Sequence, residues 1–184
     1  MIPALSHRLA QYATVAADLG VDAVALVPGA NFTRAVRHSF MSNERPFLLV
    51  IPADGPAAAL VPDLELGSWD LVGFDGAVFS WRDQTGYDDA VAAMMANLAL
   101  DTLAVEGQVM RVFVHHALMR AQPGLRIIDA EQEISALRMI KTDDDIAALR
   151  EAIDISERAL ARTLDRVRLG QTEKDIEQIL VQAL

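Results

Sequence analysis

The chain has no cysteine, few aromatic residues and fewer basic than acidic side chains. Without cysteine there can be no disulfide framework, and thiolate catalysis and thiolate metal ligation are excluded. Only 5% of the residues are aromatic, so Ala, Val and Leu must build most of any core. The 16 Lys and Arg against 26 Asp and Glu give a net charge of −10, which argues against nucleic acid or an anionic membrane as a partner.

Long apolar runs and leader patterns are also missing. No apolar run reaches the roughly 18 residues that a membrane-spanning helix needs. The chain begins with Met1-Ile2-Pro3, and the segment directly after these residues is amphipathic, which is not the pattern of a secretory signal. We therefore expect a cytoplasmic protein. The composition, 52% hydrophobic and 23% charged, is typical of a globular chain, and 184 residues suit one domain with an appendage.

The strongest periodicity lies in the last quarter of the chain. Thr142 and Asp145 have the spacing of a capping box, which predicts the start of a helix. We expect this helix to end at Gly170, with Arg166 and Arg168 in its last turn. Its apolar residues recur at helical intervals along one stripe: Ile146, Leu149, Ile153, Leu160, Leu164 and Val167.

A second helix is predicted directly after the first. Thr172 and Asp175 repeat the capping-box spacing, and apolar residues follow at Ile176, Ile179, Leu180 and Leu184. No later segment covers the apolar faces of these two helices. We therefore expect the chain to be the front part of a longer protein. The alternatives are that the helices fold back onto the preceding domain or pair in a dimer.

Strand-like and helical segments precede this region, and after residue 61 they alternate. The order predicts an α/β fold, a mixed sheet flanked by helices. A turn at Pro52-Ala53-Asp54-Gly55 predicts that the second and third strands are antiparallel neighbours. Residues 31–43 are expected to form a polar, irregular loop. Strands are predicted over residues 21–27, 47–51, 57–61, 71–74, 103–106 and 125–129, and helices over 5–19, 86–100 and 109–120.

Two short motifs lie where the alternating region meets the final helices. One is Leu137–Thr142 (LRMIKT) and the other is Gly170–Glu173 (GQTE). Positions between them agree as well: Ile146, Arg150 and Ala152. Their order and spacing resemble the domain junction of the creatinase, prolidase and aminopeptidase P family, the pita-bread metallopeptidases. In that family an LRxIKs segment leaves the N-terminal domain, and a G-x-T-E turn joins the first two helices of the catalytic domain.

The resemblance implies a division of the chain and a function for the parent protein. Residues 1–138 would form a creatinase-type N-terminal domain, and residues 139–184 the junction and first two helices of a truncated catalytic domain. The parent would be an Xaa-Pro peptidase, such as aminopeptidase P or prolidase. Its two divalent ions, manganese or cobalt, would be held by two Asp, one His and two Glu beyond the G-x-T-E turn. This chain would then contain no catalytic residue and no metal ligand.

The resemblance also draws attention to the segment after the first strand. Family members often carry N-x-x-Y-L-T-G there; Asn31 and Phe32 fit its start, whereas the stretch from Arg34 to Arg37 departs from its end. In dimeric members the N-terminal domain of one subunit helps to close the active site of the other. Arg34, Arg37 and His38 are therefore candidates for substrate access, because guanidinium groups pair with carboxylates. The alternative is a solvated loop.

Other constellations in the sequence do not converge on a site. The consecutive acids at 143–145 are spread around a helix, and capping explains them. His115 and His116 are adjacent and so diverge by about 100° on a helix, whereas two ligands on one face need a spacing of three or four. Acidic residues near Trp69 and Trp81 could line a carbohydrate cleft, but packing in the core is the commoner role of tryptophan. Glycine-rich phosphate loops and a G-x-S-x-G elbow are absent.

Three functions stay open at this stage. The first is the non-catalytic N-terminal domain of an Xaa-Pro peptidase, which would support dimerisation and peptide access in a homodimer. The second is a protein-binding module from a pita-bread protein that has lost catalysis, as in a histone-chaperone subunit. The third is creatinase-like hydrolysis of a non-peptide C–N bond. The five metal ligands, or their absence, distinguish the second function from the first, and a substrate screen distinguishes the third.

Overall fold

The computed structural model describes residues 4–41 and 44–184, which fall into two compact units. The first ends at Met139, and the second contains Ile140–Leu184. The helices of the first unit are α1 Leu5–Leu19, α2 Ala30–Val36, α3 Leu66–Asp70, α4 Asp88–Leu98, α5 Val112–Ala121 and α6 Glu131–Met139, with a 3₁₀ turn at Asp63–Glu65. Its strands are β1 Ala23–Leu26, β2 Leu48–Pro52, β3 Ala58–Pro62, β4 Ala77–Trp81, β5 Thr102–Val105 and β6 Arg126–Asp129.

The six strands form one mixed sheet in the order β4-β3-β2-β1-β5-β6. Strand β2 runs antiparallel to both β1 and β3, and every other adjacent pair is parallel. In the centre Val24 lies opposite Ile51 on one side and Ala104 on the other. The carboxyl ends of all strands except β2 therefore lie along one edge, which we call the carboxyl edge. The predicted mixed sheet with flanking helices and the predicted antiparallel pairing of β2 with β3 are both confirmed.

Helices cover both faces of the sheet. On one face α1, α2 and α6 bury Tyr12, Phe32 and Ile134, and on the other α4 and α5 bury Met94 and Leu118. Every residue of β1, β2 and β3 is buried, which explains their unbroken apolar runs. Four of the few aromatic side chains form one cluster, with neighbouring ring centroids 4.9–6.2 Å apart: Phe32, Phe40, Phe47 and Trp69. Trp69 and Trp81 are both buried, as expected for core residues.

Two predictions for the first unit are wrong. The strand predicted over 71–74 is a turn that contains Gly73 at φ +66°, and the strand instead begins at Ala77. Gly76 lies just before it, where a Cβ atom would collide with the carbonyl oxygen of Ala57. The short apolar run was misassigned because an exposed leucine, Leu71, belongs to the turn and is 78% accessible.

The second error concerns the loop predicted over 31–43, whose first half is helix α2. Asn31, Phe32, Ala35 and Val36 are buried at helical spacing, so packing against the sheet overrides the polar appearance of the segment. The helix ends at Arg37, which adopts the left-handed conformation at φ 58°. Residues 42 and 43 of the predicted loop lie outside the described residues.

The second unit contains α7 Asp143–Leu164 and α8 Glu173–Ala183. Both predicted capping boxes, Thr142 with Asp145 and Thr172 with Asp175, are confirmed. Helix α7 ends six residues before Gly170, and Arg168 lies outside it, where its Nη1 donates to the carbonyl oxygens of Asp165 and Val167. The predicted end of this helix is therefore wrong, because the chain tightens into turns after Leu164.

The apolar stripe of α7 is largely exposed, with Leu149 at 52% and Leu164 at 64% accessibility. Among the described helices, none combines the length and the apolar character needed to cross a membrane.

Candidate functional site

Polar side chains collect at the carboxyl edge, where each follows the end of a strand. Asn31 lies beyond β1, Asp63 beyond β3, Asp83 beyond β4, Glu106 beyond β5 and Glu131 beyond β6. In open sheets ligands bind outside the carboxyl ends of the strands, where neighbouring connections diverge. This edge is therefore the candidate functional side of the first unit. It has a buried half beside β1, β5 and β6, and an open half beside β3 and β4.

A hydrogen-bonded pair of side chains, Asn31 and Glu106, forms the centre of the buried half. The amide nitrogen Nδ2 of Asn31 donates to Glu106 Oε1 over 2.7 Å, and more weakly to Ser135 Oγ over 3.4 Å. Ser135 Oγ in turn donates to Glu131 Oε1 over 3.1 Å. The hydroxyl of Tyr12 donates to the backbone carbonyl oxygen of Asn31 over 2.9 Å. These contacts connect the start of α2 to α1, to the end of β5 and to α6.

Burial perturbs the titratable groups of this half. It raises the pKa of the Glu106 carboxyl, against the opposing effects of the Asn31 hydrogen bond and the Arg138 charge, while the Glu131 charge raises the pKa further. Burial also raises the pKa of the Tyr12 phenol, against the effect of Arg34. A buried acid with a perturbed pKa at the end of an interior strand is a candidate functional group.

Glu106 was not among the site residues predicted from the sequence. The available signal was an acidic residue placed directly after the apolar strand 103–105, opposite an asparagine that follows another apolar strand. Because 75 residues separate Asn31 from Glu106, only the parallel pairing of β1 with β5 could have suggested that they meet.

Two of the three predicted access residues, Arg34 and Arg37, lie on the surface formed by α1 and α2. Arg34 Nη2 donates to Gln11 Oε1 over 2.7 Å, and its Cζ lies 5.8 Å from the centre of the Tyr12 ring. Arg8 Nε donates to the Ala35 carbonyl oxygen over 2.8 Å. Burial, and then the charges of Arg37 and Arg34, lower the pKa of Arg8, so the three guanidinium groups lie close enough to repel one another. The α1–α2 surface is therefore locally cationic in an acidic chain.

The third predicted access residue, His38, has different surroundings. Its ring centroid lies 4.7 Å from that of Phe40, at the margin of the aromatic cluster. The left-handed conformation of Arg37 turns the chain between the end of α2 and His38. A side chain other than glycine in this conformation is uncommon. This short, sharply turned segment presents Arg37 and His38 at the end of the helix.

The open half of the carboxyl edge is a cleft of about 460 Å³ beside β3 and β4. Arg45 forms a bidentate ion pair with Asp83: Nη2 donates to Oδ2 over 2.6 Å, and Nε donates to Oδ1 over 3.0 Å. Arg82 Nε pairs with Asp63 Oδ2 at 2.6 Å. These arginine hydrogen bonds lower the pKa of each partner aspartate. The Arg82 side chain is 72% accessible. Its two terminal nitrogens, Nη1 and Nη2, donate to no side chain among the described residues, so they are available to donate hydrogen bonds to the carboxylate of a ligand.

The described residues do not fit a metal centre. Among residues 4–41 and 44–184, no three His, Cys, Asp or Glu side chains come together in a way that could hold an ion. The rings of His115 and His116, both on α5, have centroids 5.8 Å apart.

Known proteins resemble the chain along almost its whole length. The family profile described as Creatinase/Prolidase N-terminal domain matches residues 8–140. A curated relative from Mycobacterium bovis, named "Probable dipeptidase PepE", is 26% identical over 182 residues, or 97% of this chain and 48% of that protein. The chain thus spans about half the length of the curated relatives that it matches most fully.

Solved structures agree on the fold. A prolidase from Thermococcus sibiricus is 22% identical with a TM-score of 0.85, and the match covers 98% of this chain and 49% of that one. The creatinase/prolidase N-terminal domain of an X-Pro dipeptidase from Streptococcus pyogenes is 18% identical with a TM-score of 0.64. That match covers 71% of this chain and 98% of the isolated domain.

Proposed function

The chain belongs to the creatinase/prolidase N-terminal domain family, and from this premise we propose that it is the non-catalytic front part of an Xaa-Pro peptidase. Residues 1–138 would be the N-terminal domain, and residues 139–184 the junction and first two helices of the catalytic domain. One observation supports this most strongly: the match to a dipeptidase runs over 97% of this chain but only 48% of that protein. The parent would be a cytoplasmic hydrolase with two divalent ions, manganese or cobalt, held outside this chain.

The proposed role of the first unit is to support dimerisation and to control substrate access. Helix α2 begins at the carboxyl edge and carries Arg34, and the turn after it carries Arg37 and His38. Guanidinium groups bind carboxylates through charge-assisted hydrogen bonds, so this surface suits the charged end of a short peptide. We infer that in a homodimer these residues face the active site of the second subunit.

The peptidase names of the relatives favour this function over the two alternatives. A protein-binding module without catalysis would lack the five metal ligands in the parent sequence. A creatinase-like enzyme would keep the ligands and cleave a C–N bond outside a peptide. Neither alternative is supported by a specific contact in the described residues.

The test compares the full-length parent with the 184-residue chain. Each is incubated with Ala-Pro and Gly-Pro in the presence of added Mn²⁺ or Co²⁺, with Ala-Ala as the matched substrate that lacks proline. We expect the parent to hydrolyse the proline dipeptides and the 184-residue chain to be inactive. Hydrolysis by the short chain would contradict the proposal, and so would a metal-loaded parent that leaves both proline dipeptides intact.

A further inference from the structure

Two buried oxygen atoms in the buried half of the carboxyl edge, beside β1 and β5, accept no hydrogen bond from any described residue. They are Oδ1 of Asn31 and Oε2 of Glu106. The two residues are only 0% and 3% accessible, so bulk water does not reach them. The other polar atoms of the same two groups are bonded to each other, through Asn31 Nδ2 and Glu106 Oε1 over 2.7 Å. Each side chain therefore has one satisfied atom and one unsatisfied oxygen.

An ionised Glu106 carboxylate cannot supply the hydrogen-bond donor that these two oxygens lack. A carboxylate and an amide oxygen both only accept hydrogen bonds, and leaving them buried without a donor is unfavourable. Turning the Asn31 amide over would not help, because its oxygen would then face Glu106 Oε1. One proton on Glu106 Oε2 supplies the missing donor. A neutral carboxylic acid and an amide can then join through two hydrogen bonds that close a ring, and one of these two bonds is already present.

We propose that Glu106 is held as a neutral carboxylic acid whose Oε2–H donates to Asn31 Oδ1, and that this acid–amide pair positions the start of α2. The pair joins the end of β5 to the helix that carries Arg34 and leads to Arg37 and His38. Glu106 is thus a positioning residue, and loss of its proton removes one of the two hydrogen bonds between Glu106 and Asn31. The protonation can be measured on this chain alone, so the inference stands without the proposed peptidase function.

The surroundings of the pair agree with a neutral acid. From α6, the charge of Glu131 opposes ionisation of Glu106, and the charge of Arg138 favours it. From α1, Tyr12 faces the same region as a neutral phenol, and from α2 the amide of Asn31 is the direct partner. Burial is the largest influence, and it raises the pKa of Glu106. Burial and a second carboxylate thus outweigh the charge of Arg138.

Carboxyl ¹³C NMR of the chain labelled at glutamate tests the protonation directly. We expect one glutamate carboxyl, assigned to Glu106, to keep the chemical shift of the acid form at pH 7. This signal should be absent from Glu106→Gln and present in Glu133→Gln, a control at an exposed position on α6. The proposal is overturned if the Glu106 signal has the carboxylate shift at pH 7. Because the wild-type signal can be assigned through the backbone, the test does not depend on the variants folding.

Stability against pH gives a second, independent measurement. The glutamine amide of Glu106→Gln can form the same two-bond ring but cannot lose a proton. Between pH 5 and the raised pKa of Glu106, the folded wild type holds a proton that the unfolded chain has released. The folding constant of the wild type, relative to Glu106→Gln, should therefore fall by up to tenfold per pH unit. Parallel pH profiles for wild type and Glu106→Gln would overturn the proposal.

Exchanging the two groups provides a matched control for the geometry. Asn31→Asp places two carboxyl groups together and should weaken folding at pH 7. Adding Glu106→Gln to that variant restores one acid and one amide and should recover part of the loss. A double variant that is no more stable than Asn31→Asp alone would show that the acid–amide pairing does not stabilise the fold.

Discussion

Removal of the Asp22 carboxylate should loosen the connection between β1 and β5. Asp22 Oδ2 accepts hydrogen bonds from Asp101 N at 2.8 Å, Thr102 N at 2.7 Å and Thr102 Oγ1 at 2.9 Å. One oxygen atom thus ties the residue before β1 to the start of the neighbouring parallel strand. Asp22 N also donates to Thr102 Oγ1 over 2.8 Å. We expect Asp22→Ala to destabilise the first unit without changing its fold.

The size of this effect follows from the number of bonds and from their exposure. A buried hydrogen bond to an ionised group contributes about 1.5–3 kcal/mol. Asp22 is exposed, however, and water can replace the carboxylate as an acceptor for the freed amides. We therefore expect a loss of about 1–2 kcal/mol, similar to the removal of a helix N-cap. Asp22→Asn keeps an acceptor oxygen without the charge and should lose about half as much.

The hydrogen bonds from the Asp101 and Thr102 amides lower the pKa of Asp22 in the folded state. The ionised carboxylate therefore stabilises the fold above the ordinary aspartate pKa of about 3.9, and this contribution disappears as the pH falls through the lowered folded value. The difference in the free energy of unfolding between wild type and Asp22→Ala should have its full size at pH 6 and should be smaller at pH 3.

Urea unfolding followed by tryptophan fluorescence measures this difference, because Trp69 and Trp81 both lie in the first unit. A loss below about 0.3 kcal/mol at pH 6 would refute the reasoning, since that is within the scatter of ordinary surface substitutions. A difference that does not shrink towards pH 3 would refute the role of the charge.

Two further substitutions test the packing of the first unit. Trp69→Ala should cost about 3–5 kcal/mol, because it removes a buried ring from the aromatic cluster; the urea midpoint followed by far-UV circular dichroism checks this, and an unchanged midpoint would contradict it. Gly76→Ala should cost about 1–3 kcal/mol, because its Cβ would collide with the Ala57 carbonyl oxygen. Gly67→Ala, with open space around it, is the matched control, and equal thermal midpoints for the two variants would contradict the expected collision.

The sequence predicted the features that local patterns determine. The capping boxes at Thr142 and Thr172 need only residues three apart, and the central strands need only an unbroken apolar run. Helix α2 was missed because its buried face depends on the sheet beneath it. Strand β4 was missed because the apolar run at residues 71–74, which includes the turn residue Leu71, was predicted to be the strand instead. Glu106 was missed because its hydrogen-bond partner, Asn31, is 75 residues away in the sequence.

Mixed dimers of the full-length parent test the central proposal most directly. One subunit carries Arg37→Ala and His38→Ala with an intact catalytic half, and the other carries the natural residues but is inactivated in its catalytic half. Arg34 is left unchanged because it also contacts Gln11 and Tyr12 within the unit. We predict that the mixed dimer hydrolyses Ala-Pro faster, per intact catalytic half, than the dimer of the access variant alone. Equal rates would contradict the claim that this unit serves the active site of a second subunit.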